Sequence, residues 1–325
     1  MVRSGTPRGA PGATAAARAP HPDGEERPAR RNPGRAPRAR FGGTSVDRHP
    51  RFDLWLHDDA ELAAAVGASL AERATIHEWP LSCVQRVRTT DGRRFIYKVS
   101  APPTVEAEFY ARARSPVLIA ARALPAAGTT TALLMEELVA PRLADARPAD
   151  APALAERLVR CIGSIEGDPP ALHDISTRAR WTDHMCAALD DIRACVAEGT
   201  FREVDAHLAD RLERLASSPP VLEAVEARTG YVHGDLMAEN VLVAGDGYRV
   251  LDWQRPLRGP TALDAATLLL SLGLDAARHV GPGVVLVHHL LHVAWFGQSA
   301  RRWLPHGKPH LDRVIARIGR EVAVG

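Results

Sequence analysis

Residues 231–253 read YVHGDLMAENVLVAGDGYRVLDW, and no other stretch narrows the architecture as much. Val241–Val243 and Tyr248–Leu251 are short β-forming runs on either side of Gly245-Asp246-Gly247, which predicts a tight hairpin. The loop entering that hairpin carries His233-Gly234-Asp235 and, after four more residues, Asn240. The strand leaving it runs into Asp252-Trp253, twelve residues past Asn240. Antiparallel pairing makes the two open ends of a hairpin neighbours, so one polar loop, one amide and a second carboxylate converge there. The surroundings are helical by periodicity, with predicted helices over 153–165, 181–197, 201–216, 221–228, 262–274, 283–303 and 311–322. A single β insertion in a helical half is a strong constraint on topology.

The first half has the opposite character. A short helix is predicted over Asp58–Leu70, where Leu62, Val66 and Leu70 recur every fourth residue. Two strands, Ser82–Thr90 and Arg93–Ser100, flank Asp91-Gly92, a hairpin signal. A helix follows Pro102-Pro103 with Thr104 as its expected cap, and Thr131–Val139 reads as a buried strand. With 46% hydrophobic and 25% charged residues in 325, the chain has ample material for a core. The expected fold class is α+β: a β-rich lobe over 49–138 and a larger helical lobe over 139–325. Residues 1–48 hold ten Arg against four acidic residues and show no periodicity, so they are expected to be a disordered tail. A formal net charge of +2 demands no nucleic-acid partner. Four scattered Cys with no CxxC pair suggest a reducing, cytoplasmic setting. No apolar run reaches the roughly 18 residues of a membrane span, and no signal core opens the chain. A monomer or weak dimer is expected.

The pattern H-G-D-x-x-x-x-N followed by D-W resembles the aminoglycoside phosphotransferase and choline kinase family. It varies the general kinase pattern H-R-D-x-x-x-x-N with D-F-G, with Gly234 in place of Arg and Trp253 in place of Phe. The resemblance implies a two-lobed protein-kinase-like fold and transfer of the γ-phosphoryl group of ATP or GTP to a small-molecule hydroxyl acceptor. Asp235 would align the acceptor hydroxyl, His233 would brace the loop, and Asn240 and Asp252 would supply hard oxygens to Mg²⁺. Asp264 would tie loops together. In Arg94–Val99 the alternation puts Phe95, Tyr97 and Val99 on one face and Ile96 and Lys98 on the other. An inward Lys needs a partner, and the resemblance places its phosphate-binding Lys on this strand. Of Glu106 and Glu108, two apart and so on different helix faces, Glu106 shares a stripe with Phe109, Tyr110 and Ala113 and is the expected partner. Backbone amides around Ser82 would contact phosphate despite the missing glycine loop. Ile96 would pack on a purine ring whose edge meets backbone groups of Glu137 and Leu138 in the segment joining the lobes.

No A-P-E follows Asp252, and Gly234 removes the Arg that would read a phosphorylated activation loop. Both favour a small-molecule kinase over a protein kinase. Aminoglycosides, macrolides, choline-like amines and sugars all fit as acceptors. The rival is a nucleotide-binding pseudokinase or scaffold, against which all five polar positions stand filled. His288, His289 and His292 invite a metal reading, but without a third kind of ligand nearby they are expected to pack. The six acidic residues of segment 183–205 suit a cationic acceptor or a solvated helix face equally.

Overall fold

The structure, a computed structural model, describes residues 38–322 except 42, 43 and 147. The chain enters through β1 (Arg38–Phe41), β2 (Thr44–Arg48) and β3 (Trp55–His57), a three-stranded antiparallel sheet, and α1 (Asp59–Val66). The predicted tail lies outside the described residues as far as 37. Its last part is corrected: β2 is ordered because Val46 is an apolar anchor with no exposed surface. The helix predicted to Leu70 ends at Gly67, and Leu70 opens a strand.

A five-stranded antiparallel sheet follows: β4 (Leu70–Trp79), β5 (Ser82–Thr89), β6 (Arg94–Ser100), β7 (Ala121–Ala127) and β8 (Thr130–Glu136), in the order β4-β5-β6-β8-β7. Helix α2 (Glu106–Arg112) lies between β6 and β7 in the chain and packs against β7 and β8. The edge strands β4 and β7 escaped the pattern reading. In β4 a register shift between Thr75 and His77 breaks the period of two, and β7 is rich in Ala. One face of the sheet buries Cys83, Val87, Tyr97, Val99, Ala132 and Leu134 against Leu54, Leu62 and Val66. Alternation turns Val84, Ile96, Lys98, Leu133 and Met135 to the other face, toward the rest of the molecule.

The second half contains α3 (Leu143–Ala146), α4 (Ala151–Gly163), β9 (His173–Asp174), α5 (Arg178–Ala197), α6 (Ala206–Ala216), α7 (Pro219–Glu226), β10 (Thr229–Val232), β11 (Val241–Ala244), β12 (Gly247–Val250), β13 (Leu257–Pro260), α8 (Ala262–Ser271), α9 (Ala277–Val280), α10 (Pro282–Gln298) and α11 (Lys308–Val322). Helices α5 and α10 form its centre, with Trp181, Ile192, Val287 and Leu290 wholly buried. They come close at Gly297, where a Cβ would sit 2.5 Å from Ile192. The helix predicted over 201–216 begins only at Ala206: Asp205 caps it, and the buried Asp312 carboxylate accepts from the N–H groups of Arg202, Glu203 and Val204 at 2.7–2.9 Å. The helix predicted over 283–303 changes to a π-helical turn at Ser299–Trp303. Among the described residues no helix is long and apolar enough to cross a membrane.

The halves meet in one apolar cluster. Phe109, Leu133 and Met135 from the first half touch a group that includes Leu154, Leu236, Val241, Val250 and Trp253. Backbone bonds fasten the β11–β12 hairpin to the segments on either side of β7–β8: Val250 N–H donates to Val117 (2.8 Å) and Val243 N–H to Pro141 (2.9 Å). The hairpin is thereby held against the edge of the β-rich lobe, and the polar loop at its open end faces the inner surface of the sheet. This is a two-lobed, protein-kinase-like α+β fold, as the motif implied.

Candidate active site

Lys98 comes from the middle of the five-stranded sheet and Asp252 from the loop after β12, 154 residues later, yet Lys98 Nζ lies 2.6 Å from Asp252 Oδ1. The same ammonium is 2.7 Å from Glu106 Oε2. Lys98 is 7% exposed and Glu106 2%, so this is a buried pairing that burial alone would penalise. Burial lowers an ammonium's pKa, but the Asp252 and Glu106 carboxylates outweigh it and hold Lys98 above its ordinary value, protonated. Burial pushes Glu106 up, with Lys98 opposing it. For Asp252 burial acts upward too, but the Lys98 ammonium keeps its carboxyl below the usual carboxylate range. The expected Lys98–Glu106 pair is present, and Glu108 instead pairs with Arg112 on the helix surface. Thr104 is not the cap residue, although its hydroxyl does accept from the Glu106 N–H at 3.1 Å.

The polar loop is fixed by its own backbone. Asp264, near the start of α8 and almost fully buried, accepts from the N–H groups of His233 (2.8 Å) and Gly234 (3.1 Å). Burial raises its carboxyl, those two N–H groups pull the other way, and its pKa settles at about 7. His233 Nε2 lies 2.9 Å from the Leu251 carbonyl, which can only accept, so Nε2 carries the proton. Nδ1 then accepts from the Asp235 N–H at 3.2 Å. This neutral tautomer agrees with burial lowering the His233 pKa. Gly234 adopts φ +81°, and a Cβ there would stand 2.7 Å from the Arg255 carbonyl oxygen, so the Arg of the general kinase pattern has no room.

Asn240 donates from Nδ2 to the Asp235 carbonyl at 2.9 Å, which leaves Oδ1 as its uncommitted group. Asp252 has φ +66°, the one described non-glycine residue in the left-handed region. Such strain persists where neighbours over-determine it. Here Trp253 does so: its indole stacks on Phe109 at 4.3 Å, meets His233 edge-on at 4.5 Å, and donates to the Val250 carbonyl at 3.0 Å. One ring therefore ties the helix bearing Glu106 to both polar loops.

Ser82 has a side-chain partner of its own, and one expected contact, at Glu137, changes. The Ser82 hydroxyl, buried at the tip of the β4–β5 hairpin, accepts from Trp79 Nε1 at 2.6 Å. The Glu137 N–H donates to the Arg94 carbonyl at 3.1 Å, because the β6–β8 ladder continues one residue past β8. That N–H is unavailable to a purine edge, and the Glu137 carboxylate is held by Arg86 (2.6 Å) and Arg94 (2.8 Å). Leu138 stays partly exposed in the connecting segment.

Sequence reasoning missed Arg255. Its Nη2 lies 3.3 Å from Asp235 Oδ2, and its guanidinium carbon stands 4.0 Å from the centre of the Trp295 ring. Nothing in a chain with 41 Lys and Arg residues singles it out. The three histidines of α10 pack: His288 bonds Thr267, His292 bonds the His288 carbonyl, and burial lowers all three. Among the described residues no cluster of three His, Cys, Asp or Glu could hold a metal. In segment 183–205, Asp190, Asp191, Glu198 and Glu203 pair with Arg193, Arg302, Arg301 and Arg320, and Asp205 is a helix cap.

A family model described as the phosphotransferase enzyme family matches residues 84–291, more than half of the chain. No curated protein matches it in sequence. Solved structures do. A thermostable mutant of aminoglycoside phosphotransferase APH(4)-Ia, in ternary complex with ADP and hygromycin B, is 14% identical with a TM-score of 0.58, over 82% of this chain and 97% of that one. A choline/ethanolamine kinase family protein from Mesorhizobium loti is 14% identical with a TM-score of 0.52, over 82% and 98%. Macrolide 2'-phosphotransferase MphH from Brachybacterium faecium is 17% identical with a TM-score of 0.51, over 80% and 98%.

Proposed function

The chain belongs to the phosphotransferase enzyme family, and from that premise we propose that it moves the γ-phosphoryl group of ATP or GTP to a hydroxyl of a small molecule. The observation that carries this reading is Lys98, which reaches from the sheet of one lobe to Asp252 on a loop of the other. A cation placed between lobes beside a carboxylate is what a triphosphate with its metal needs.

In this reading Lys98, held by Glu106, faces the nucleotide phosphates, Ile96 and Leu138 border the base, and Ser82 lies at the hairpin tip on the same face of the sheet. The donor set suits Mg²⁺, which takes one or two protein oxygens and fills its other positions with water and phosphate. Asn240 Oδ1 is turned away from the Asp235 carbonyl, and Asp252 has a side chain 38% exposed with a second oxygen beyond its contact with Lys98. Bound between these oxygens, the ion would offset negative charge on the nucleotide. Asp235 accepts the hydrogen bond of the acceptor hydroxyl and orients its oxygen. That oxygen bonds to the γ-phosphorus, the bond to the bridging oxygen breaks, the nucleoside diphosphate leaves with the electron pair, and the hydroxyl proton departs through Asp235. His233, in its neutral form, holds the Asp235 backbone. Gly234, where a kinase reading phosphorylated loops has Arg, supports a small-molecule acceptor.

The test is consumption of ATP and GTP against a panel of hydroxyl compounds, with Asp235→Ala as the control. Turnover of no compound by a protein that still binds Mg·ATP would favour the non-catalytic rival.

A further inference from the structure

On the side of Asp235 away from Lys98 the side chains are chemically uniform in an unexpected way. The Arg255 guanidinium is 26% exposed and makes one side-chain hydrogen bond, the long one to Asp235. Most of its five N–H donors are therefore uncommitted. Its guanidinium carbon sits over the Trp295 ring, and Trp295 stacks on Trp303 at 5.4 Å, so cation and rings form a ledge. His173 borders this ledge, because Leu172 N–H donates to the Pro256 carbonyl at 2.7 Å and His173 pairs in register with Leu257. Its ring stands 4.8 Å from that of His184. Burial first, then His184, Arg255 and Arg302, hold His173 down at about 4, so its ring is neutral and offers no charge of its own. On the facing helix α5, Asp191 is paired with Arg302 at 2.6 Å.

A polycationic acceptor would meet an arginine with spare donors here, and Asp190, Asp191 and Glu198 of the neighbouring acidic segment are already paired with arginines. We propose that the acceptor is a hydroxyl compound bearing an anionic group, a carboxylate or a phosphate, which Arg255 binds beside the Trp295 ring. Arg suits this task because its planar fork matches either anion. The assignment rests on the phosphotransferase reading and narrows its acceptor.

Two charge-matched sets of probes test it by calorimetry on the full chain at neutral pH: glycerate, glycerol and 3-aminopropane-1,2-diol, and glucuronate, glucose and glucosamine. Glycerol 3-phosphate beside glycerate tells which anion is preferred. Wild type should bind an acid of at least one set about tenfold more tightly than its neutral and cationic counterparts, a difference typical of one charge-assisted contact. Arg255→Gln should remove that preference and Arg255→Lys should keep part of it, with Mg·ATP affinity unchanged in both. Equal binding within both sets, absence of binding included, tighter binding of the amines, or a preference surviving in Arg255→Gln would overturn the inference. A fall in Mg·ATP affinity equal to the fall in acid affinity would assign Arg255 to the nucleotide and overturn it too. Loss of Mg·ATP binding by wild type itself would count against the phosphotransferase reading, separately from the charge preference.

Discussion

The two flanks of the polar loop differ in how completely their charges are used. Toward the sheet, the buried Lys98 ammonium is engaged by the buried Glu106 at 2.7 Å and by Asp252, at the mouth of the cleft, at 2.6 Å. Toward α10, Asp235 and Arg255 touch at 3.3 Å and both retain unspent capacity. A tight triad with two of its three charges buried is costly to assemble and costly to break, which suits a part that serves one invariant ligand. A looser pair next to aromatic rings leaves affinity to be supplied by whatever binds. The contrast separates the two halves of the proposed reaction: a prebuilt nucleotide side and an acceptor side completed by its substrate.

The strongest way to break this contrast is Asp235→Ala. It should lower transfer by about 10²–10⁴-fold while Mg·ATP titrates as in wild type, and a parallel loss of nucleotide affinity would join the flanks into one unit. Lys98→Met should destabilise the fold by about 3–5 kcal/mol, since it strands two carboxylates that lose their buried cation. Denaturant midpoints measure this, and a change below about 1 kcal/mol would show the triad to be surface-like. Asp252→Asn should weaken Mg·ATP binding more than Asn240→Asp, by about tenfold or more, as only the first swap removes an anionic oxygen. Calorimetry with Mg²⁺ and then EDTA reads both, and equal effects would move the metal elsewhere.

The smallest effect concerns pH. His233, His288 and His292 have folded pKa values lowered by burial, so the unfolded chain binds more protons below about 6.5. Stability from these groups is present above that pH and is lost as pH falls. Asp264 acts oppositely: with its pKa raised to about 7, the folded state gains a proton between pH 7 and 4 and is stabilised as pH drops. Wild type should therefore lose stability from pH 7 to 5, and Asp264→Asn should steepen the loss. A shallower slope in the variant would reverse the sign assigned to Asp264.

Local order in the chain determined the hairpin 241–250, the helices around it and the alternation that turns Lys98 away from Tyr97, because these depend on neighbours two to four residues apart. The same spacing chose Glu106 over Glu108. The motif 231–253 also carried the family, since its polar residues lie within one short stretch. Tertiary structure decided the rest. Edge strands β4 and β7 gain their identity from pairing with distant residues, and β4 breaks its own alternation at the bulge. Val46 is buried at the end of an otherwise featureless tail only where β2 pairs with β3, nine or more residues on. The Glu137 N–H was lost to Arg94 by one extra rung of a ladder. Arg255 illustrates the limit best: its neighbour Trp295 is forty residues away, and only the packing of α10 against the loop after Trp253 makes a charge of no sequence distinction part of a site.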